Sequence, residues 1–487
     1  MFSIIMRLIQ TESLGNQMFH LMLEILGVPL VTALINLFIG ALSDYWPSKI
    51  GRRTYFMFWG LGIYLIGAVL MTIAAVYPCV YFWNDTNPEK MEDIRKLYNA
   101  SLILYIIGNV FGEIGRNIVA VMFNSYILDT FDVVQQDRVN LMKSCMTGLS
   151  FVLSYVVFFI ISLCTFNWGT DNSPNEFDTI VSIKKSGSVC SMILHIFSII
   201  FMIGGVFWFK YVAQEQQYEG SNESNEPQTK KECFKYLMKT VKDGFKAMDY
   251  GVFSAFLIVF FGWLVWGSFV NNYHTLHREY LYPGRDQLDL RFLVYGFDFT
   301  LVGVIMMIVS IVIYIKKWRL DIYTIIAFGI CTGLSVFLYF LKPTMEPLSM
   351  IWRNYFFSSI PFFSASLILT AVKSFPYSLM KDSVPSDKNG VTMGIMFIFV
   401  HIGQSTAYLI NVALDTTHDV THVSESLEDD HGMNSYIFIN ALCFMSFIVS
   451  VIFRFVKKPK LEENNYNQFK NDTLFDESQG IFSSMQN

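Results

Sequence analysis

The sequence predicts an all-α membrane protein with twelve transmembrane helices in two six-helix bundles. Three observations predict it. Of 487 residues, 53% are hydrophobic and only 15% are charged, whereas a soluble domain carries about a quarter charged residues. The apolar residues gather into runs of about 20, the length a helix needs to cross the hydrocarbon core. A hydrophilic stretch over 214–231, rich in Glu, Gln, Ser and Asn, parts six runs from six. Such a stretch cannot bury a core and is expected to be flexible.

In chain order the expected spans are Ser3–Leu26, Leu30–Leu42, Thr54–Pro78, Ser101–Tyr126, Met142–Phe166, Val189–Phe209, Val252–Val270, Phe292–Ile315, Ile322–Leu341, Tyr355–Lys373, Val391–Leu414 and Tyr436–Phe455. Ser3–Leu26 is the least apolar, interrupted by Glu12, Asn16, Gln17 and Glu24, and it lacks the small-residue cleavage site of a signal peptide. The chain thus divides into an N-terminal bundle (1–212), a central linker (213–250), a C-terminal bundle (251–456) and a polar tail (457–487). Two six-helix halves around a linker is the layout of transporters built from repeats, which bind cargo near the bilayer midplane.

Orientation follows from Lys and Arg, which concentrate in loops on the cytosolic side. Lys49, Arg52 and Arg53 follow the second span, Lys316, Lys317 and Arg319 the eighth, and Lys457, Lys458 and Lys460 the last. Both termini and the linker are therefore expected in the cytosol, with the chain in the plasma membrane or a vacuolar or endosomal membrane. Asn84-Asp-Thr86 and Asn99-Ala-Ser101 are glycosylation sequons beside one outer loop; chance produces such matches as readily as function does.

Several function classes are disfavoured. A net charge of −5 offers no basic footprint for nucleic acid. The seven cysteines show no metal-ligand spacing, so no metal or other cofactor is expected. No GxxxxGK[ST] loop is present for ATP, and no nucleophile–base constellation argues for an enzyme.

Charge inside a bilayer costs about 2.5–3.5 kcal/mol or more, so each instance is a functional candidate. The set is Glu12, Glu24, Glu113, Arg116, Asp129, Asp298 and Lys373. Glu113 and Arg116 are three apart on one helical face and can pair, either structurally or along a cargo path. Asp129 can exchange a proton, since a protonated carboxyl donates a hydrogen bond where an ionised one only accepts; alternatively it pairs with Arg138 at the cytosolic edge. Lys373 precedes Pro376 and can snorkel to the cytosol or meet cargo. Trp263 and Trp266 share a helical face and could stack on a sugar, with Asn272 and His274 at the outer end of that span.

Gly40-Ala-Leu-Ser-Asp44 followed by Gly51-Arg-Arg53 resembles the signature of the major facilitator superfamily. The longer gap between its two pieces is similar to the sucrose-transporter branch, the plant sucrose/proton symporters and their animal solute-carrier relatives, which belong with the glycoside–pentoside–hexuronide:cation symporters. Three more stretches resemble that branch in order: Ser125–Asp129; Gly262-Trp263-Leu-Val-Trp266 through Arg278-Glu279 to Tyr282; and Ser374-Phe-Pro376-Tyr377 with Gly390 through Met393-Gly394 to Gln404. The chain departs from the pattern at Asn124, where the branch has Arg, at Asn272 and His274, where it has acids, and at Gly403, where it has Pro.

The resemblance implies alternating access by a secondary active transporter, a symporter of protons and a sucrose-like glycoside. It implies Gly40, Asp44, Gly51, Arg52 and Arg53 as a gating motif and Asp129 as a proton-coupling group. Asp298, where the branch is apolar, is expected to compensate for the acid missing near the seventh span and to join Asp129 in proton coupling. Arg116, Glu113, Asn124, Trp263, Trp266, Asn272 and His274 are the expected sugar contacts. The expected partners are therefore a small-molecule sugar, a proton and the lipid bilayer. An uncoupled facilitator and a non-transporting sugar sensor are the alternatives.

Overall fold

A lipid-embedded backbone must satisfy its own polar groups, so a chain with these apolar runs crosses as helices. The computed structural model describes residues 28–44, 46, 48, 50–84, 91–165, 193, 196–210, 230–246, 249–276, 288–341, 348–381, 384, 388–416 and 433–456. Among the described residues there is no strand. The helices are α1 (Val28–Ser43), α2 (Arg52–Asn84), α3 (Met91–Thr130) and α4 (Val133–Thr165), then α5 (Ile196–Lys210). They continue with α6 (Lys230–Lys246), α7 (Tyr250–Leu276), α8 (Leu288–Lys316), α9 (Leu320–Ser335, prolonged by a 3-10 turn at Val336–Phe340), α10 (Leu348–Lys381), α11 (Asn389–Thr416) and α12 (Met433–Val456).

Eight of these are long and apolar enough to cross a membrane, and Pro29–Ser43, Ile196–Lys210 and Ile437–Ile452 are shorter apolar helices. They occupy every expected span except Ser3–Leu26, which lies outside the described residues together with Glu12, Glu24 and the tail. The remaining helix, α6, falls in the expected linker; it turns Val241 inward and sets Gly244 against the Val391 side chain at the start of α11.

Several helices outrun their apolar runs. Hydropathy marks where lipid begins, while helical hydrogen bonding continues through polar turns. Hence α4 begins at Val133 rather than Met142, and α3 carries on through Asp129 to Thr130. The N-terminal helices are tightly knit: a Cβ on Gly60 would stand 2.9 Å from the Gly115 carbonyl oxygen, and one on Gly108 2.9 Å from that of Gly67. Small residues permit such backbone approach where lipid supplies no hydrophobic drive.

Several helix pairs cross between the halves, and the most extensive are α4 with α8 and α1 with α11. The α4–α8 seam meets at Gly148 and Gly303, where a Cβ on either glycine would lie 2.7 Å from the other's carbonyl oxygen. Further along, Tyr155 stacks on Phe299 with centroids 4.6 Å apart. Apolar side chains such as Trp59, Ile66, Ile308, Ile315 and Trp352 are exposed on the outside of the bundle, as a lipid-facing surface requires.

Candidate functional site

The polar interior is layered along the bundle. The inner end is the one holding the turn from α1 to α2, the side that the Lys/Arg bias assigns to the cytosol. There Ser48 and Gly51 shape the turn: the Gly51 N–H donates to the Ser48 carbonyl at 3.3 Å, and Gly51 takes φ 94°. That left-handed conformation suits glycine, which has no Cβ to clash. It delivers Arg52 and Arg53 into the first turn of α2.

Arg53 is fully buried and donates from Nη2 to Asp44 at 2.7 Å and from Nε to Asp129 at 2.8 Å; it also reaches the Ser43 hydroxyl. Arg52 reaches Asp129 at 3.1 Å and the Asp44 carbonyl at 2.8 Å. Both carboxylates also cross to the C-terminal half. Asp44 accepts the backbone N–H groups of Gly390 and Val391 at 2.8 and 2.9 Å, and Asp129 accepts from the Asn389 amide at 2.8 Å. The first amides of a helix have no internal partner and carry the positive end of its dipole, so the start of α11 suits a carboxylate. Lys381, at the end of α10, donates to the Leu128 carbonyl. Gly40 lets α1 lie against Gly390 and Gly394 of α11; a Cβ on Gly394 would come within 2.6 Å of the Asn36 carbonyl. Of the five residues of the expected gating motif, Arg52 and Arg53 pair with Asp129, Asp44 shares Arg53 with it, and Gly40 and Gly51 shape the backbone around them.

About 7.5 Å further in, at 1.5 Å per residue along α3, Asn124 accepts a hydrogen bond from Lys143 Nζ at 2.8 Å. Lys143 also donates to Asn140 at 2.9 Å, and its ammonium sits 3.2 Å from the Tyr377 ring centroid. Deeper still, Glu113 pairs with Arg116 and accepts from Asn117 at 3.3 Å. Lys373 lies over the Trp263 ring, 4.7 Å from its centroid. His401, on α11, feels the charge of Glu113, and its Nε2 has no hydrogen-bond partner among the described residues.

The two tryptophans expected to share a ligand face go separate ways. Trp263 carries Lys373, whereas Trp266 is buried between Phe362 and Phe151, with centroids 6.1 and 6.2 Å away. Asn272 and His274 fall in the last turns of α7, and their side chains lie outside the described residues.

Asp298 stands apart, toward the other end of α8. It is fully buried and accepts hydrogen bonds from the hydroxyls of Tyr273 on α7 and Tyr355 on α10, the latter at 2.5 Å. Tyr273 is itself fixed face to face on Phe362, centroids 3.9 Å apart. Among the described residues Asp298 makes no ion pair.

The sequence reading omitted Lys143 and did not anticipate Asn389 or Lys381. Lys143 stands one residue inside the apolar run that starts at Met142 and so reads as a flank. Counted from the true start of α4 at Val133, it lies nearly three turns inside the helix. Asn389 and Lys381 act across a sequence separation of more than 250 residues, which no local pattern signals.

The comparisons with known proteins agree with this architecture. A profile of the Major Facilitator Superfamily matches residues 1–408. No curated protein matches by sequence. Among solved structures, the E. coli fucose:proton symporter superposes with a TM-score of 0.52 at 13% identity over 94% of each chain. A bacterial homologue of the iron transporter ferroportin, in its outward-facing state, superposes with a TM-score of 0.51 at 12% identity over 93% of this chain and 97% of that one. At such identities the likeness is one of fold, and it is the profile match over most of the length that makes this chain a member of the major facilitator superfamily of membrane transporters.

Proposed function

We propose that the protein is a proton-coupled symporter of a small hydroxylated solute, a sugar of the kind carried by the sucrose-transporter branch, working by alternating access. The observation that carries this reading is Asp298, a buried carboxylate held by two phenols and by no cation among the described residues. A proton can neutralise such a group without breaking an ion pair. Ionised, it accepts from both tyrosines; protonated, it must donate one bond, so one tyrosine turns from donor to acceptor. Because those tyrosines sit on α7 and α10, the proton changes how three helices of the C-terminal half are tied. Two of them carry Trp263, Lys373 and Tyr377 toward the cargo layer.

In this reading Asp129 serves the latch rather than the proton, because its oxygens are engaged by Arg52, Arg53 and Asn389. The latch holds the cytosolic end shut while cargo enters from the other side. Its release lets the halves pivot along the α4–α8 seam. Glu113, Arg116, Asn124 and Trp263 line the cargo layer, and Trp266 supports it from the aromatic core.

Purified protein in proteoliposomes tests this with labelled sucrose, maltose and glucose, with and without an inward proton gradient. The expected result is gradient-driven accumulation by the native chain. Asp298→Asn should keep exchange of cargo across the membrane and lose the accumulation. Uptake indifferent to the gradient would point to the uncoupled facilitator; no uptake of any sugar would favour a sensor. Full gradient dependence in Asp298→Asn would remove Asp298 from the mechanism.

A further inference from the structure

Among the described residues, the cargo layer holds more positive charge than its acids offset. Three cations stand in it, Arg116 from α3, Lys143 from α4 and Lys373 from α10. Lys143 and Lys373 are close enough to feel each other's charge, as are Lys373 and Arg116. Only Arg116 has an acidic partner among the described residues, Glu113. The ammonium of Lys143 is met by the neutral oxygens of Asn124 and Asn140 and by the face of Tyr377. Lys373 is met by the face of Trp263 and, among the described residues, by no hydrogen bond or carboxylate.

Amide oxygens and aromatic faces steady an ammonium without cancelling its charge. Arg116 is exposed and the two lysines are part-buried; like charges gathered there repel one another, and a partly desolvated charge gains from an opposite partner. A neutral sugar brings hydroxyls, which leave the surplus in place. An oxyanion on the cargo would cancel it. The two lysines are also well placed to act together, since Lys143 belongs to the N-terminal half and Lys373 to the C-terminal half. Lys373 and Tyr377 are four residues apart on α10, so one helical face presents the first lysine and the ring that supports the second.

We propose that the cargo is a hydroxylated oxyanion, a sugar acid or sugar phosphate, whose anionic group is held between Lys143 and Lys373 and so bridges the two halves. This rests on the symporter reading above and names its substrate class. Hydroxyls of the same molecule fall to Asn117, Asn124 and Trp263, and the anion supplies the counter-charge that the described residues do not.

Proteoliposomes holding the full-length protein are given labelled glucuronate, glucose 6-phosphate, glucose or sucrose under an inward proton gradient. In parallel, the unfolding midpoint of the purified protein is measured with each unlabelled compound. The expected result is that at least one oxyanion enters about tenfold or more faster than glucose and alone raises the midpoint, since a hydrogen bond to a charged group is worth about tenfold or more in affinity. Which oxyanion succeeds separates a carboxylate from a phosphate. Lys143→Gln and Lys373→Gln should each lower oxyanion uptake about tenfold or more, and Lys143→Arg, which keeps the charge, should restore part of it. Should the glutamine variants fail to fold, the midpoint of the native protein still decides. Gradient-driven sucrose or glucose uptake with no response to either oxyanion overturns the inference and leaves the symporter reading standing. Oxyanion uptake indifferent to the gradient keeps the inference and removes the coupling. No transport and no stabilisation by any of the four defeats both.

Discussion

The two most extensive contacts between the halves differ in what surrounds their close-packed glycines. Where α1 meets α11 through Gly40, Gly390 and Gly394, the contact ends in a knot of charge drawn also from α2 and α3: two arginines, two carboxylates, one amide side chain and two backbone N–H groups. Where α4 meets α8, Gly148 and Gly303 bring the backbones together, and Tyr155 and Phe299 stack beside them. Directional bonds between paired charges are strong when aligned and weak once misaligned. Close apolar packing tolerates small rotations about the line of contact but resists separation. The first suits a contact that opens, the second one that turns.

Arg53→Ala is the strongest way to break this comparison. It leaves Asp44 and Asp129 without their shared cation, and losing one partner of a buried pair costs about 3–5 kcal/mol. The closed inner end should lose population by about a hundredfold or more. Ser378 is buried about one turn further in than Lys381 on α10 and faces Asn140; a cysteine there should then react much faster with an impermeant maleimide added from the inner side. Unchanged labelling would show that the charges are not what keeps that end shut.

Gly303→Leu probes the other seam. Its Cβ would stand 2.7 Å from the Gly148 carbonyl oxygen, and a full side chain must force the helices apart. A loss of about 1–3 kcal/mol is expected from overpacking, read as a lower unfolding midpoint in detergent, with slower transport and little change in Ser378 labelling. The smallest effect is expected from Asn389→Ala, which removes one donor from Asp129 and leaves both arginines. One hydrogen bond is worth about 1 kcal/mol, so labelling should rise only about fivefold. An effect larger than that of Arg53→Ala would mean that Asp129 depends on the amide more than on the cations.

Much of this architecture is legible in the sequence because a bilayer imposes one rule. Apolar runs of sufficient length become helices, and every expected span within the described residues has its helix. The ends are less legible, as α4 shows: Val133 to Leu141 is too polar to count as a span, yet it is helical, and that displacement hides Lys143. Local pairs read well, since Glu113 and Arg116 are three residues apart and meet. Distant pairs do not. For Asp129 the nearby candidate was Arg138, whereas its cations come from Arg52 and Arg53, 77 and 76 residues away, because the packing of α2 on α3 decides who is near. Spacing placed Trp263 and Trp266 on one face but could not tell that Phe151 and Phe362 would enclose the second.

The sharing of Arg53 has one more effect. Asp44 and Asp129 lean on the same guanidinium, and each also grips the start of α11. Movement of Arg53 therefore slackens both grips together, although Asp129 keeps Arg52 as a second cation. Under the gating role proposed above, the inner end would then open in one step rather than by a gradual widening through which water or stray ions could seep.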